Sequence, residues 1–163
     1  MYVNWLGLFG DLILHAVGVS IDHEGYVFVG NSGAGKSTLA SLVARQDNVA
    51  VLGEDQVILR LINDEFWIFG TPWHFQSSLY SAEGARLKGV YFLEGRGKHS
   101  VRDIRQLEGV SKLMQTAFVP YYNEPAVGRI LTSLVRLSDK IPYLSFSFDK
   151  DEKAPDLLNR FLL

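Results

Sequence analysis

Apolar and polar positions along the chain fall into short runs whose period changes several times. From Ala16 to Ile21, and again from Tyr26 to Val29, β-branched and aromatic residues dominate. Asp22, His23, Glu24 and Gly25 between the two runs read as a turn, so this part predicts a hairpin. Gly30 through Gly35 breaks all periodicity. From Lys36 to Arg45 the apolar positions Leu39, Ala40, Leu42, Val43 and Ala44 predict a helix with a broad buried face. A second apolar strand, Val49 to Leu52, then runs into Gly53, Glu54 and Asp55. Strand, glycine loop, helix and strand make a βαβ unit, for which a right-handed, parallel crossover is the rule.

Downstream, Val57 to Ile62 and Phe66 to Phe69 flank Asn63, Asp64 and Glu65, a second hairpin signature. Gly70 to Gly89 reads as irregular, and Val90 to Leu93 as a buried strand ending in Glu94, Gly95, Arg96 and Gly97. Two helical stretches follow, about Ile104 to Phe118 and Pro125 to Leu137, with Pro120 between them. A last strand covers Tyr143 to Phe148, and Pro155 opens a final helix carrying Leu157, Leu158, Phe161 and Leu162. Hairpins alongside a parallel crossover give an α/β class with a mixed sheet flanked by helices.

Composition narrows the function classes without changing this outline. With 163 residues, no repeat and no long Pro/Gly/Ser linker, one domain spanning 1–163 is expected. Sixteen Lys and Arg against 18 Asp and Glu leave a net charge of −2, so no positive field is present to hold DNA, RNA or a lipid surface. Cys is absent, which excludes disulfide scaffolds, thiol nucleophiles and Cys-ligated zinc, and a cytoplasmic location is the expectation. The apolar N-terminus lacks a basic n-region and carries Asp11 and His15 inside the run, so it reads as a packed amphipathic segment rather than a signal peptide or membrane span.

Candidate chemistry lies in the break after the first hairpin. Gly30, Asn31, Ser32, Gly33, Ala34, Gly35, Lys36 and Ser37 fit G-x-x-x-x-G-K-[ST] without a gap, and Thr38 follows. The pattern needs a strand before it and a helix after it, and both are predicted here. Its glycines let a phosphate approach the main chain, and successive N–H groups and the helix N-terminus converge on the anion. Lys36 can bridge β- and γ-phosphate oxygens, and the Ser37 hydroxyl can ligate Mg²⁺. Glu54 and Asp55 follow an apolar strand, as a Walker B acid does. If their strand neighbours the glycine-loop strand, about 4.8 Å away, they emerge at the same carboxyl edge as the phosphates. One could then hold the metal and the other act as base. The plainer alternative is an exposed acidic turn.

His15-Ala16, GNSGAGKST, the helix and the acidic pair in VLGEDQVIL resemble the catalytic domain of the HPr serine kinase/phosphorylase family and its stand-alone relatives. The GTPW at Gly70 to Trp73 and the GVYFLE strand at Gly89 to Glu94 are similar to the stand-alone branch, and the wider fold group includes phosphoenolpyruvate carboxykinase. The resemblance implies a P-loop NTPase variant with a mixed sheet, in which residues 30 to 38 bind ATP phosphates and Mg²⁺, and Ser37 and Asp55 hold the metal. Glu54 and Asp55 would occupy the family's Asp-Asp position, with Glu54 longer by a methylene, and His15 would stand at the histidine beside that pair. Glu94, Gly95, Arg96 and Gly97 resemble the family's Glu-x-Arg-Gly, which would make Arg96 a stabiliser of the transferred phosphoryl; without the resemblance Arg96 is a surface loop residue and His15 a core histidine.

The expected activity is ATP-dependent phosphoryl transfer to a serine hydroxyl on a protein or peptide. The alternatives are a nucleotide-binding sensor or assembly module without transfer, and a small-molecule kinase with a lid from Phe69 to Gly89; Trp73 and His74, which follow a Pro in that stretch, read either as lining a substrate or base pocket or as plugging the core. The regulatory domain that precedes this region in bifunctional relatives is not in the sequence, so neither regulation nor phosphorylase activity is expected. Family relatives assemble into higher oligomers, and a homo-oligomer is expected on that ground alone.

Overall fold

The computed structural model describes residues 2–72, 81–95 and 100–148. The apolar N-terminal segment forms a helix, α1 (Tyr2–Leu8), and Asp11 closes the turn into the first strand. Asp11 is buried, and it is tolerated there because the guanidinium of Arg60 donates to both its oxygens, Nε lying 3.0 Å from each. The chain then alternates between two faces of one sheet in β1 (Leu12–Ile21), β2 (Glu24–Val29), β3 (Val49–Gly53), β4 (Gln56–Ile62), β5 (Glu65–Gly70), β6 (Gly84–Leu93), β7 (Ser100–Asp103) and β8 (Tyr143–Ser147). Helices α2 (Lys36–Val43), α3 (Gln106–Thr116) and α4 (Glu124–Lys140) complete the described residues.

Both expected hairpins are present, and each closes on two residues. Asp22 and His23 turn β1 into β2, and Asn63 and Asp64 turn β4 into β5, all four with positive φ. Two-residue turns of this hand match the strand twist, and Asn, Asp and His enter the left-handed region at least cost after glycine.

Period-two alternation sorts the strands into two cores, so the sheet is the middle of three layers. Leu12, Leu14, Ala16, Val27 and Val29 face α3 and α4, where Leu113, Ile130 and Leu134 meet them. Val17, Val19, Ile21, Tyr26 and Phe28 face α2 through Leu39, Ala40 and Val43. The sheet is mixed but mostly antiparallel: β2–β6 and β6–β8 are its parallel pairs. The strands β2, β1, β4, β5 and β6 pair in that order, and β6 pairs back with β2, closing a ring.

Two expectations need correction. The strands on either side of the glycine loop and its helix, β2 and β3, run in the same direction but are not neighbours: β1 lies between them, antiparallel to both. β1 holds one edge of β2 and β6 pairs with the other, so β3 lies on the far edge of β1. The segment read as irregular between Gly70 and Gly89 holds the first half of β6, where Ala85 and Leu87 are buried and alternate with Arg86 and Lys88. Gly84 and Gly89 had masked that alternation. The edge strand β7 was not expected either, being only four residues long with half-buried to exposed positions. Trp73, His74, Arg96 and the expected C-terminal helix lie outside the described residues.

Candidate functional site

The glycine-rich loop connects the end of β2 to α2. Gly30 packs so closely on β6 that a Cβ there would stand 3.1 Å from the Cβ of Leu93 and 2.9 Å from that of Ala34. Gly33 and Gly35 take φ of 82° and 106°, a region an L-residue enters only with strain. Gly35 is also the residue before α2 and offers no side-chain cap, so the first turn of the helix depends on something other than its own side chains. Ala34 N–H donates to the Asn31 carbonyl at 3.1 Å, which fixes the loop's curvature. Among the described residues, the amides of Ser32, Gly33 and Gly35 have no such partner.

Lys36 folds back over this loop. Its side chain is only 8% exposed, and Nζ donates to the carbonyl of Gly30 at 2.6 Å and of Asn31 at 3.4 Å. Burial pushes its pKa below the ordinary lysine value, while the negative charge of Asp55 pulls the other way. Ser37 is exposed and Thr38 half-buried at the start of α2.

The acidic pair reaches this place by a break in an otherwise continuous strand. β3 pairs with β1 from Ile21 to Gly18, and β4 takes over from His15 to Leu12 along the same edge. Glu54 and Asp55 fill the gap, opposite Ala16, whose N–H donates to the Asp55 carbonyl at 3.1 Å. Ala16 is also the partner of Val29, the last residue before the loop. One residue earlier, His15 Nδ1 lies 3.0 Å from Asp55 Oδ1. The register of β1 therefore brings His15, Asp55 and Lys36 together, with both sequence distances spanned by strand pairing. Glu54 is half-buried in the same turn, and among the described residues its carboxylate has no hydrogen bond or ion pair.

Two residues of the GTPW segment brace that turn. Register shifts between Gly18 and Val19, a bulge at Leu52. The Leu52 carbonyl is turned toward Ser81, whose N–H donates to it at 3.3 Å, and Gly70 packs against it. Next to Gly70, the buried Thr71 hydroxyl donates to the Gln56 carbonyl at 3.0 Å. These supports are legible in hindsight only as a glycine and a threonine at the end of a strand.

On the other face of the sheet the loop borders a cavity of about 510 Å³, formed with the end of β6 and with Lys112, Gln115 and Thr116 of α3. Glu94 stands at its edge, where the Ser145 hydroxyl and the Arg102 guanidinium hold its carboxyl below the usual carboxylate range. The α3 residues carried no signal in the sequence beyond a solvated helix face.

No protein-family model matches the chain, and no curated protein matches it. Solved structures do match, among them the structure of the Hpr(Ser) kinase/phosphatase from Coxiella burnetii, which has 12% sequence identity and a TM-score of 0.48. That match covers 92% of this chain and 87% of the other.

Proposed function

We propose that this chain is an ATP-dependent phosphotransferase of the HPr-serine-kinase type, acting on a serine hydroxyl of a protein or peptide. The observation that supports it is the convergence of the glycine loop, Lys36, His15 and Asp55 at one point of β1. The loop amides and α2's N-terminus receive nucleotide phosphates, and Lys36 supplies the compensating charge. No group of three or more His, Cys, Asp or Glu able to hold a metal occurs among the described residues. The donors at hand are the Ser37 hydroxyl and the Asp55 carboxylate, hard oxygens that suit Mg²⁺, which takes one or two protein ligands and leaves its other positions to phosphate and water. When bound, Mg²⁺ supplies neutralisation of the charge that develops on the phosphates.

In the transfer itself, Glu54 accepts the proton of the acceptor hydroxyl as that oxygen bonds to the γ-phosphorus. The bond from this phosphorus to the β–γ bridging oxygen breaks, and ADP leaves with the electron pair. His15 acts as a positioning residue, holding one oxygen of Asp55, which would leave the other carboxylate oxygen available to a metal.

A second reading, a nucleotide-binding module without transfer, is favoured by the unpartnered state of Glu54, since an unanchored base is poorly placed. The two are separated by titrating Mg-ATP calorimetrically beside a radiolabel transfer assay on serine peptides and lysate proteins. Transfer, with Glu54→Gln lowering it about a hundredfold while Mg-ATP affinity stays within about twofold, is the expected result. Equal transfer in Glu54→Gln removes the base role, and binding without any transfer leaves the module reading.

A further inference from the structure

A surface helix ordinarily turns polar residues outward, and α1 does not. Its inner side is buried at Leu6 and Gly7, and a Cβ on Gly7 would stand 3.1 Å from that of Ala126 and 3.2 Å from Cδ1 of Ile130, so α1 lies tightly against α4. On the outer side Tyr2 and Trp5, with Phe9 in the turn that follows, are spaced by three and four residues and make one stripe. The rings of Trp5 and Phe9 meet edge to face, 4.9 Å between centres. Beside the stripe, the Tyr122 hydroxyl accepts from Asn4 Nδ2, and Tyr121 precedes it in the loop between α3 and α4. These five aromatic residues are between 57% and 81% exposed, and residues 1 to 10 include no charged side chain. Aromatic side chains without charges among them are what the centre of a protein–protein interface is made of, and a patch of this kind on a surface marks a contact.

We propose that a second copy of this chain covers this face, the two α1 helices crossing antiparallel about a two-fold axis at Trp5. The charges at the two ends of the stripe select that partner and that direction. Asn4 and Tyr122, at the N-terminal end, border a hollow shared with Glu124; at the other end the Arg129 guanidinium donates to the Leu8 carbonyl. Both charged residues are exposed. Antiparallel crossing sets Glu124 toward the partner's Arg129 and Tyr2 toward the partner's Phe9, whereas parallel crossing would oppose like charges. With aromatic side chains of about 200 Å², the exposed fractions amount to about 650 Å² on each protomer and about 1,300 Å² in the pair, within the range of about 1,200–2,000 Å² that stable interfaces bury. A lipid surface fits less well, because α1 carries no basic residue and the net charge of the chain is −2.

Light scattering during gel filtration of the whole chain tests this. Native protein should run at twice the monomer mass when loaded at about 100 µM and shift toward the monomer at about 1 µM. Trp5→Lys and Trp5→Glu each place like charges across the axis and should weaken the dimer at least about a hundredfold, while their equimolar mixture regains the dimer mass. Leu107→Lys, an exposed apolar position at the start of α3, should leave the dimer unchanged. Unfolding midpoints show that the variants fold, and should either Trp5 variant fail to, Tyr2→Lys mixed with Phe9→Glu repeats the measurement. Native protein that is monomeric at both loadings overturns the interface, as does a dimer indifferent to charges at position 5. A mixture that stays monomeric overturns the antiparallel crossing. Native protein that remains monomeric and sediments with phosphatidylglycerol–phosphatidylcholine vesicles, and loses that in Trp5→Glu, assigns the face to lipid instead.

Discussion

Replacing Lys36 by alanine is expected to lower phosphoryl transfer at least about a thousandfold and Mg-ATP affinity about tenfold or more, with little change in stability. The dissociation of activity from stability follows from where this lysine sits. Its ammonium is buried and its charged form already penalised, so the fold gains little from the charge itself. What the ammonium does in the free protein is donate to two loop carbonyls, a contribution of about 1 kcal/mol each that water can replace once the side chain is gone. Toward a triphosphate, the same cation faces a concentrated negative charge and a bond in transit. Radiolabel transfer and calorimetry give the functional effect, and a thermal unfolding midpoint within a few degrees of the parent's shows that the fold is intact. A variant that unfolds instead would make Lys36 a structural residue and remove the catalytic argument.

The second large effect lies away from the loop. A Cβ at position 70 would stand 1.7 Å from the Leu52 carbonyl oxygen and 2.6 Å from its carbon, both backbone atoms, so the clash cannot be relieved by a rotamer change. Gly70→Ala must push β3 and β5 apart at the bulge, breaking the Ser81 to Leu52 hydrogen bond as it does so. The expected cost is about 3 kcal/mol, which in a chain of this size lowers the unfolding midpoint by roughly 10 °C. Transfer should fall about a hundredfold in the folded fraction, because Glu54 and Asp55 follow Leu52 after the single residue Gly53 and a displacement of about 1 Å is enough. Gly128→Ala is the companion measurement: nothing lies within 4 Å of a Cβ there, and a helical Ala for Gly stabilises by about 0.5–1 kcal/mol. A Gly70→Ala protein as stable as Gly128→Ala would contradict the close approach of β3 and β5.

These two glycines show what a single sequence can and cannot disclose. Local signals were readable: the turns within 22–25 and 63–65, the break at Gly30 to Gly35, and the acids after Val49 to Leu52 each follow from residues within a few positions of one another, although the closure of each turn on two residues, with Glu24, Gly25 and Glu65 already in strands, was not. Relations across the sheet were not. Nothing in the βαβ pattern announces that β1 inserts between β2 and β3, because the other edge of β2 is taken by β6, which lies far along the chain. The meeting of His15 with Asp55 came from the family resemblance; composition and spacing left His15 a core residue. Gly84 and Gly89 hid the alternation of Ala85 and Leu87, since glycine reads as punctuation whether it ends a strand or packs inside one. The cavity residues Lys112, Gln115 and Thr116 look like any solvated helix face until α3 is docked beside the loop.

The central claim is that main-chain amides of residues 30 to 38, completed by Asp55 from across β1, form a nucleotide-phosphate site. An amide-resolved NMR titration of the native chain with Mg-ATP tests it most directly. Large, saturable shifts of the amides of Ser32, Gly33, Gly35 and the first turn of α2, together with Asp55, are expected, and their loss in Lys36→Ala. Shifts confined to other parts of the molecule, or none at millimolar nucleotide, would contradict it.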